Sequence, residues 1–110
     1  MNQDEQVQAQ IEEDIRRVKL PRGDQVLGTI SQRVGGSRMK VKCFDGKTRM
    51  CRIPGRLKRR LWVRENDVVL IQPWEYDKEK GDVIFKYRKN QVDWLKRKGY
   101  FKSLEELEEF

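Results

Sequence analysis

Apolar and basic residues alternate along two neighbouring stretches in the middle of the chain. Along residues 38–43, Met, Val and Cys alternate with Arg and Lys, and a similar alternation over residues 48–53 follows the pair Asp45-Gly46. A period of two is typical of a β-strand, and Asp-Gly is a hairpin turn signal. The two stretches are therefore predicted to form a β-hairpin with one basic face.

The loop of this hairpin decides which residues face each other. A three-residue loop with Gly46 in the left-handed conformation would place Cys51 opposite Val41, with the two apolar sets on one face. Arg49 would then lie on the inner face near the turn.

Three further stretches have the composition of strands. Residues 25–34 are rich in β-branched and apolar residues, and Gly28 within them predicts a bulge or a sharp bend. Residues 68–72 contain an unbroken Val-Val-Leu-Ile, which predicts burial on both faces, and residues 82–88 alternate again.

A short basic helix is predicted between the third and fourth strands, because Leu57 and Leu61 are four residues apart within residues 56–61. Five strands with one helix in this place follow the order of an OB-fold, a closed barrel. Closure also explains how a chain with 36% apolar residues could bury a core. We predict a mainly β fold, a five-stranded OB-fold barrel, with other small barrels as the alternative.

The two ends differ from this barrel domain, which we place at residues 20–89. Residues 1–19 are acidic and predicted to form a disordered tail, although the spacing of their apolar residues would also suit one helical stripe. Residues 90–110 are predicted to be a helical extension: Asn90 caps a helix that Gly99 stops, and Ser103 begins a last short helix.

Charge is distributed unevenly along the chain. The 25 Lys and Arg against 18 Asp and Glu give a net charge of +7, but residues 33–64 hold twelve bases and one acid. A field of this sign and density favours a polyanion. The candidate oligonucleotide-binding residues are those on the outer face of the hairpin (Arg38, Lys40, Lys42, Arg52) and those of the short helix beside it (Arg56, Lys58, Arg59, Arg60). Exposed aromatic residues could stack on bases, and Phe44 and Trp62 are the candidates, with Tyr76 behind them.

Catalysis finds little support in the sequence. The chain has no His, which excludes His-based acid–base catalysis and zinc sites that need imidazole. Its two cysteines, Cys43 and Cys51, are interpreted as reduced apolar residues, the alternative being a disulfide. No stretch is apolar enough to span a membrane, and Gly35-Gly36-Ser37 lacks the spacing of a phosphate-binding loop. We expect neither an enzyme nor a catalytic residue, metal, cofactor or small-molecule substrate.

Three motifs carry a resemblance to a known family. The sequences CFDG at 43–46, IPGRLKRRLWV at 53–63 and DVIFKYR at 82–88 stand in the order and spacing of the translation initiation factor 1A family. The resemblance implies a monomeric, cytoplasmic, S1-like OB-fold protein. It implies binding of small-subunit ribosomal RNA near the A site, dissociation of ribosomes into subunits, and stabilisation of initiator Met-tRNA on the small subunit. Contact with the initiator tRNA complex and with the subunit-joining GTPase is implied as well. By the match, the family's RNA-binding residues fall on the hairpin and the short helix, with two residues of lower rank further along (Arg38, Lys40, Lys42, Lys47, Arg52; Arg56, Lys58, Arg59, Arg60; Lys86, Arg88).

The tails depart from the eukaryotic pattern of that family. Eukaryotic members have a long basic N-terminal tail, whereas residues 1–14 of this chain hold five acids and no base. The sequence also lacks their long acidic C-terminal tail. Both features resemble the archaeal branch of the family. Two other hypotheses remain: a generic single-stranded RNA binder of the cold-shock or ribosomal S1 type, and a protein-interaction adaptor that uses the C-terminal helices. The adaptor would leave the basic centre of the chain unexplained.

Overall fold

Five strands close into a barrel. The structure, a computed structural model, describes residues 2–101. In chain order its elements are α1 (Gln3–Arg16), β1 (Val26–Gly35), β2 (Arg38–Cys43), β3 (Thr48–Arg52), a 3₁₀ turn (Gly55–Leu57), β4 (Val68–Pro73), β5 (Lys80–Lys86) and α2 (Lys89–Arg97). The strands are ordered β1-β2-β3-β5-β4, antiparallel except for the parallel pair β3–β5. The predicted fold class, a five-stranded barrel of the OB type, is confirmed. The predicted last helix, from Ser103, lies outside the described residues.

The β2–β3 hairpin forms as predicted, but its register differs by two residues. Gly46 has a φ of +93°, as the loop requires. The N–H of Cys43 bonds to the carbonyl of Lys47 at 2.8 Å and closes a three-residue loop. Val41 therefore faces Arg49, and Cys51 faces Met39, not Val41. Because the difference is an even number of residues, the apolar sets still share the inner face, as predicted.

Gly28 in β1 serves close packing, and the irregularities of the strand lie elsewhere. The shifts in pairing with β2 fall between Ile30 and Gln32 and between Arg33 and Gly35, so the predicted bulge at Gly28 is wrong. A Cβ atom at Gly28 would lie 2.6 Å from Cγ1 of Val41. A side chain at this position would collide with β2, which is why the interior of the strand holds a glycine.

The buried apolar residues form two clusters. One fills the barrel interior (Ile30, Met39, Val41, Cys43, Cys51, Ile53, Val63, Val69, Ile71, Val83). The other joins one side of the barrel to α2 (Leu27, Phe44, Val68, Leu70, Tyr87, Leu95, Phe101). Residues 68–71 contribute to both, which confirms that this strand is buried on both faces. No helix in residues 2–101 is long and apolar enough to cross a membrane.

The N-terminal residues are helical, so the prediction of a disordered tail was wrong over α1. Asp14 is 5% exposed and lies against α2. Its carboxylate accepts a hydrogen bond from Nδ2 of Asn90 at 3.2 Å, and its backbone oxygen accepts one from Nε2 of Gln91 at 2.8 Å. The row of apolar residues along this helix is sparse, so apolar packing alone holds it weakly. The polar contact with residues more than 70 positions away adds a second attachment to α2.

The C-terminal helix begins two residues earlier than predicted. Arg88 is the N-cap residue of α2, and its N–H donates to Oε1 of Gln91 at 2.8 Å. Asn90, predicted as the cap, lies inside the helix and binds Asp14 instead. Gly99 follows the last turn with a φ of +87°, which confirms the predicted stop.

Candidate nucleic-acid interface

The outer face of the β2–β3 hairpin is basic. Arg38, Lys40 and Lys42 are exposed on β2, and the pairing sets Arg38 directly opposite Arg52 of β3. Like charges opposite each other destabilise a sheet, so this arrangement favours an external anion. We use the name basic surface for the basic residues of the hairpin and of the segment that follows β3 (Arg38, Lys40, Lys42, Lys47, Arg52; Arg56, Lys58, Arg59, Arg60).

The segment after β3 continues the basic surface, although it is shorter than the predicted helix. Only Gly55–Leu57 is helical, as a 3₁₀ turn, and the N–H of Leu61 then bonds to the carbonyl of Leu57 at 3.0 Å. Both leucines pack on the barrel core. With its apolar edge held this way, the segment leaves its four basic side chains exposed to solvent.

Trp62 is exposed beside this segment. Its side chain is 79% exposed, so it remains a candidate for stacking on a base. Nζ of Lys86 donates to the backbone carbonyl of Trp62 at 3.0 Å and lies 3.3 Å from Oδ2 of Asp67. Lys86 is thus already engaged in holding this segment.

Phe44 is not available for base stacking, which corrects the prediction. It is 6% exposed and packs edge-on against Phe101, with ring centroids 4.8 Å apart. The residue at the hairpin tip is covered because the chain following α2 returns to it. Tyr76, predicted third, is 97% exposed.

Eleven basic residues were predicted to bind RNA, and the structure divides them into two groups. Three form ion pairs: Arg52 with Asp82 at 3.4 Å, Lys86 with Asp67, and Arg88 with Asp14 at 3.4 Å. The other eight are exposed and form no ion pair within residues 2–101 (Arg38, Lys40, Lys42, Lys47, Arg56, Lys58, Arg59, Arg60). The hairpin and the following segment therefore hold those predicted residues that are free of ion pairs within residues 2–101.

A buried arginine fixes the hairpin loop from the inside. Arg49 is 4% exposed, as its predicted place on the inner face near the turn requires. Its guanidinium donates to both carboxylate oxygens of Asp45, at 3.1 and 2.9 Å, and its Nε to the carbonyl of Lys78 at 2.7 Å. Partial burial opposes ionisation of Asp45, but the hydrogen bonds from Arg49 and from the Lys47 N–H outweigh it and lower the pKa of this carboxyl.

Asp45→Asn is expected to reduce the loss of stability at acid pH. A carboxyl whose pKa is lowered by folding stabilises the protein above its unfolded pKa, near 3.8, and this contribution is lost as the pH falls through the lower folded value. Urea unfolding of the parent protein and of the variant, at neutral pH and again well below the unfolded pKa, measures how much free energy of unfolding each loses at acid pH. Glu75→Gln, at an exposed carboxylate without an ion pair in residues 2–101, is the matched control. If Asp45→Asn loses as much stability at acid pH as the parent protein, ionisation of Asp45 does not contribute to the stability of the fold.

The two cysteines are free and buried in the barrel. Burial raises the pKa of Cys51 to about 12 and also raises that of Cys43, so both remain protonated at neutral pH. Within residues 2–101 no cluster of three or more His, Cys, Asp or Glu side chains could hold a metal ion. Both thiols therefore act as core residues.

Sequence analysis missed one aromatic residue beside the basic surface. The ring of Trp74, which follows β4, has Cζ of Arg52 4.8 Å and Nζ of Lys80 5.6 Å from its centroid. The one signal in the sequence was a Trp directly after Pro73, where the fourth strand ends. Its neighbours come from β3 and β5, which no local pattern reveals.

Comparison with known proteins gives one consistent result. The family model described as translation initiation factor 1A / IF-1 matches residues 15–109. Similar proteins named translation initiation factor 1A include one from a strain of Methanococcus maripaludis (60% identity, covering 76% of this chain and 84% of that protein) and one from Methanosarcina acetivorans (50% identity; 84% and 85%). Among solved structures, a bacterial translation initiation factor from the Wolbachia endosymbiont of Brugia malayi aligns with a TM-score of 0.49 at 19% identity, covering 59% of this chain and 78% of that chain.

Proposed function

The chain belongs to the translation initiation factor 1A family, which is non-enzymatic, and on this premise we propose that it binds the small ribosomal subunit near the A site. There it promotes dissociation of ribosomes into subunits and stabilises initiator Met-tRNA on the small subunit. Its partners in the cytoplasm are ribosomal RNA, the initiator tRNA complex next to it and the subunit-joining GTPase.

The basic surface is the observation that supports this proposal. Its eight free cations, counted within residues 2–101, lie on one hairpin and on the segment that follows it, and both are held by the barrel core. Phosphate contacts fix the position of a protein on RNA, and a rigid scaffold lowers the entropy lost on binding. Trp62, exposed beside the same segment, adds a ring on which an unpaired base can stack.

The proposed mechanism is occupancy of a site. Binding that favours the free subunit over the joined ribosome shifts that equilibrium by its difference in affinity for the two states. The same argument applies to the initiator tRNA: a factor that binds better when the tRNA is present stabilises the tRNA by an equal amount.

Co-sedimentation with purified small subunits, in competition with an A-site ligand, tests this function. We expect binding in a one-to-one ratio that the competitor displaces. Binding to naked single-stranded RNA but not to subunits would overturn the proposal and favour a generic RNA binder of the cold-shock or ribosomal S1 type.

The salt dependence of binding is a separate prediction. If roughly six phosphates are neutralised, the affinity for subunits should fall about 10³-fold between 50 and 200 mM salt, because each neutralised phosphate releases counterions. Equilibrium binding of a fluorescently labelled protein over this salt range gives the slope. A nearly salt-independent affinity would mean that the basic surface does not carry the interaction.

A further inference from the structure

A cleft opens next to the basic surface, where β3 and β5 run parallel. It encloses about 200 Å³ and is lined by Arg38, Met50, Cys51, Arg52, Trp74 and Lys80. The parallel pairing places Met50 beside Lys80 and Arg52 beside Asp82. Barrel closure thus brings together residues of three strands and of the chain after β4.

The walls of the cleft are held in place from within. The indole Nε1 of Trp74 donates to Oδ1 of Asp82 at 2.9 Å, and Nε of Arg52 lies 3.4 Å from the same oxygen. Arg52 also lies over the Trp74 ring. A Cβ atom at Gly81 would lie 2.7 Å from Cγ2 of Ile71, so the strands beneath are in tight contact. The cleft therefore exists before any ligand arrives.

Its charge favours an anion. Arg38, Arg52 and Lys80 bring three positive charges around the cleft, against two negative charges, Asp82 beside Arg52 and Asp77 at 3.9 Å from Nζ of Lys80. Arg38 faces Arg52 across the hairpin, where like charges cost stability. Asp82 already offsets part of the charge of Arg52, and an anionic group bound beside Arg38 would lower the remaining repulsion.

We propose that this cleft binds one unpaired nucleotide of RNA. The base packs on Met50 and on the Arg52–Trp74 pair, and the phosphate is bound by Arg38 and Lys80. The volume is below the roughly 300–1,000 Å³ of pockets for drug-sized ligands and suits a single planar group. Bases stack on aromatic rings and on guanidinium planes, and Lys and Arg bind phosphate. This inference rests on the proposed function and extends its RNA contacts from β2–β3 to β5.

The fluorescence of Trp74 tests the cleft directly. In the full chain with Trp62→Phe and Trp94→Phe, Trp74 is the one remaining tryptophan. Titration with a five-nucleotide oligoadenylate RNA should quench it in a saturable way, and a pentamer lacking its bases should bind about 5- to 100-fold more weakly, since stacking supplies the difference. Thermal melting of the variant verifies that it is folded.

Two lysines at the start of β5, Lys78 just before the strand and Lys80 its first residue, provide a pair of variants. Lys80 lines the cleft, and its Nζ lies 3.9 Å from Oδ2 of Asp77, whereas Lys78 lies outside the cleft and pairs with Asp24 at 2.9 Å. Lys80→Ala should weaken binding of the pentamer about fivefold or more through loss of a phosphate contact, and Lys78→Ala should change it less than about twofold. Unchanged Trp74 fluorescence, or equal affinity for both pentamers, would overturn the cleft as a nucleotide site. Co-sedimentation of the unmodified protein with small subunits tests the proposed function separately. If the protein binds subunits but the cleft fails these tests, only the nucleotide site is overturned. If the unmodified protein does not bind subunits, the proposed function is overturned.

Discussion

Replacing Arg59 and Arg60 together by Glu is expected to abolish binding to small ribosomal subunits. Both side chains are exposed and form no ion pair within residues 2–101. Each phosphate contact contributes nearly one decade of affinity at about 0.1 M salt, so losing two should cost on the order of 100-fold, and the reversed charges add repulsion. Thermal stability should hardly change, because exposed substitutions of this kind usually stay within about 0.5 kcal/mol.

Subunit co-sedimentation and thermal melting of the same preparation check both parts of this expectation. A double charge reversal outside the basic surface, Arg22→Glu with Lys89→Glu, is the matched control, since both of its residues are exposed. Lys89 lies in the first turn of α2, where Glu is compatible with the helix dipole. Equal loss of binding in the control would indicate that subunit binding depends on the net charge of the protein and not on the position of Arg59 and Arg60. A large fall in melting temperature in the first variant would show that the segment is structural.

Gly28→Ala is expected to produce the largest loss of stability among single substitutions of a glycine. The added Cβ would lie 2.6 Å from Cγ1 of Val41, 3.1 Å from the carbonyl oxygen of Lys42 and 3.3 Å from Cα of Cys43. Val41 is fully buried and β-branched, so it has no free rotamer to adopt, and two of the contacts are to backbone. Overpacking of this kind lowers the free energy of unfolding by about 1–3 kcal/mol.

The measurement is urea unfolding at neutral pH, with Gly55→Ala as the control. Gly55 precedes the basic segment, has nothing within 4 Å of a Cβ position and is not among the residues with positive φ. Its substitution should change stability by less than about 0.5 kcal/mol. If Gly28→Ala unfolds at the same urea concentration as the parent protein, the close approach of β1 to β2 does not limit the side chain at this position.

Local pattern was informative wherever one element determined the outcome. The alternation along residues 38–53, Gly46 in the loop, Gly99 after α2 and the density of basic residues over residues 33–64 each predicted a feature that the structure contains. These features depend on the period of a strand, on backbone conformation or on composition. All three are readable from neighbouring residues.

The errors arose where a distant residue determined the outcome. Phe44 was predicted to be exposed because it lies at a hairpin tip, but Phe101 covers it. Residues 3–16 were predicted to be disordered because their apolar stripe is thin, but Asn90 and Gln91 satisfy the polar groups of Asp14. Contacts between residues far apart in sequence leave no local periodicity, so sequence reasoning could not find them.

By itself, the sequence determined a β-barrel with a basic hairpin and a basic segment after it, because strand period and charge are local properties. The tertiary structure alone decided which cations within residues 2–101 remain unpaired and where the barrel closes. Closure sets β3 beside β5 and so brings Trp74, Arg52 and Lys80 together from three separate stretches of chain. The physical reason is that pairing between non-consecutive strands depends on the packing of the whole core.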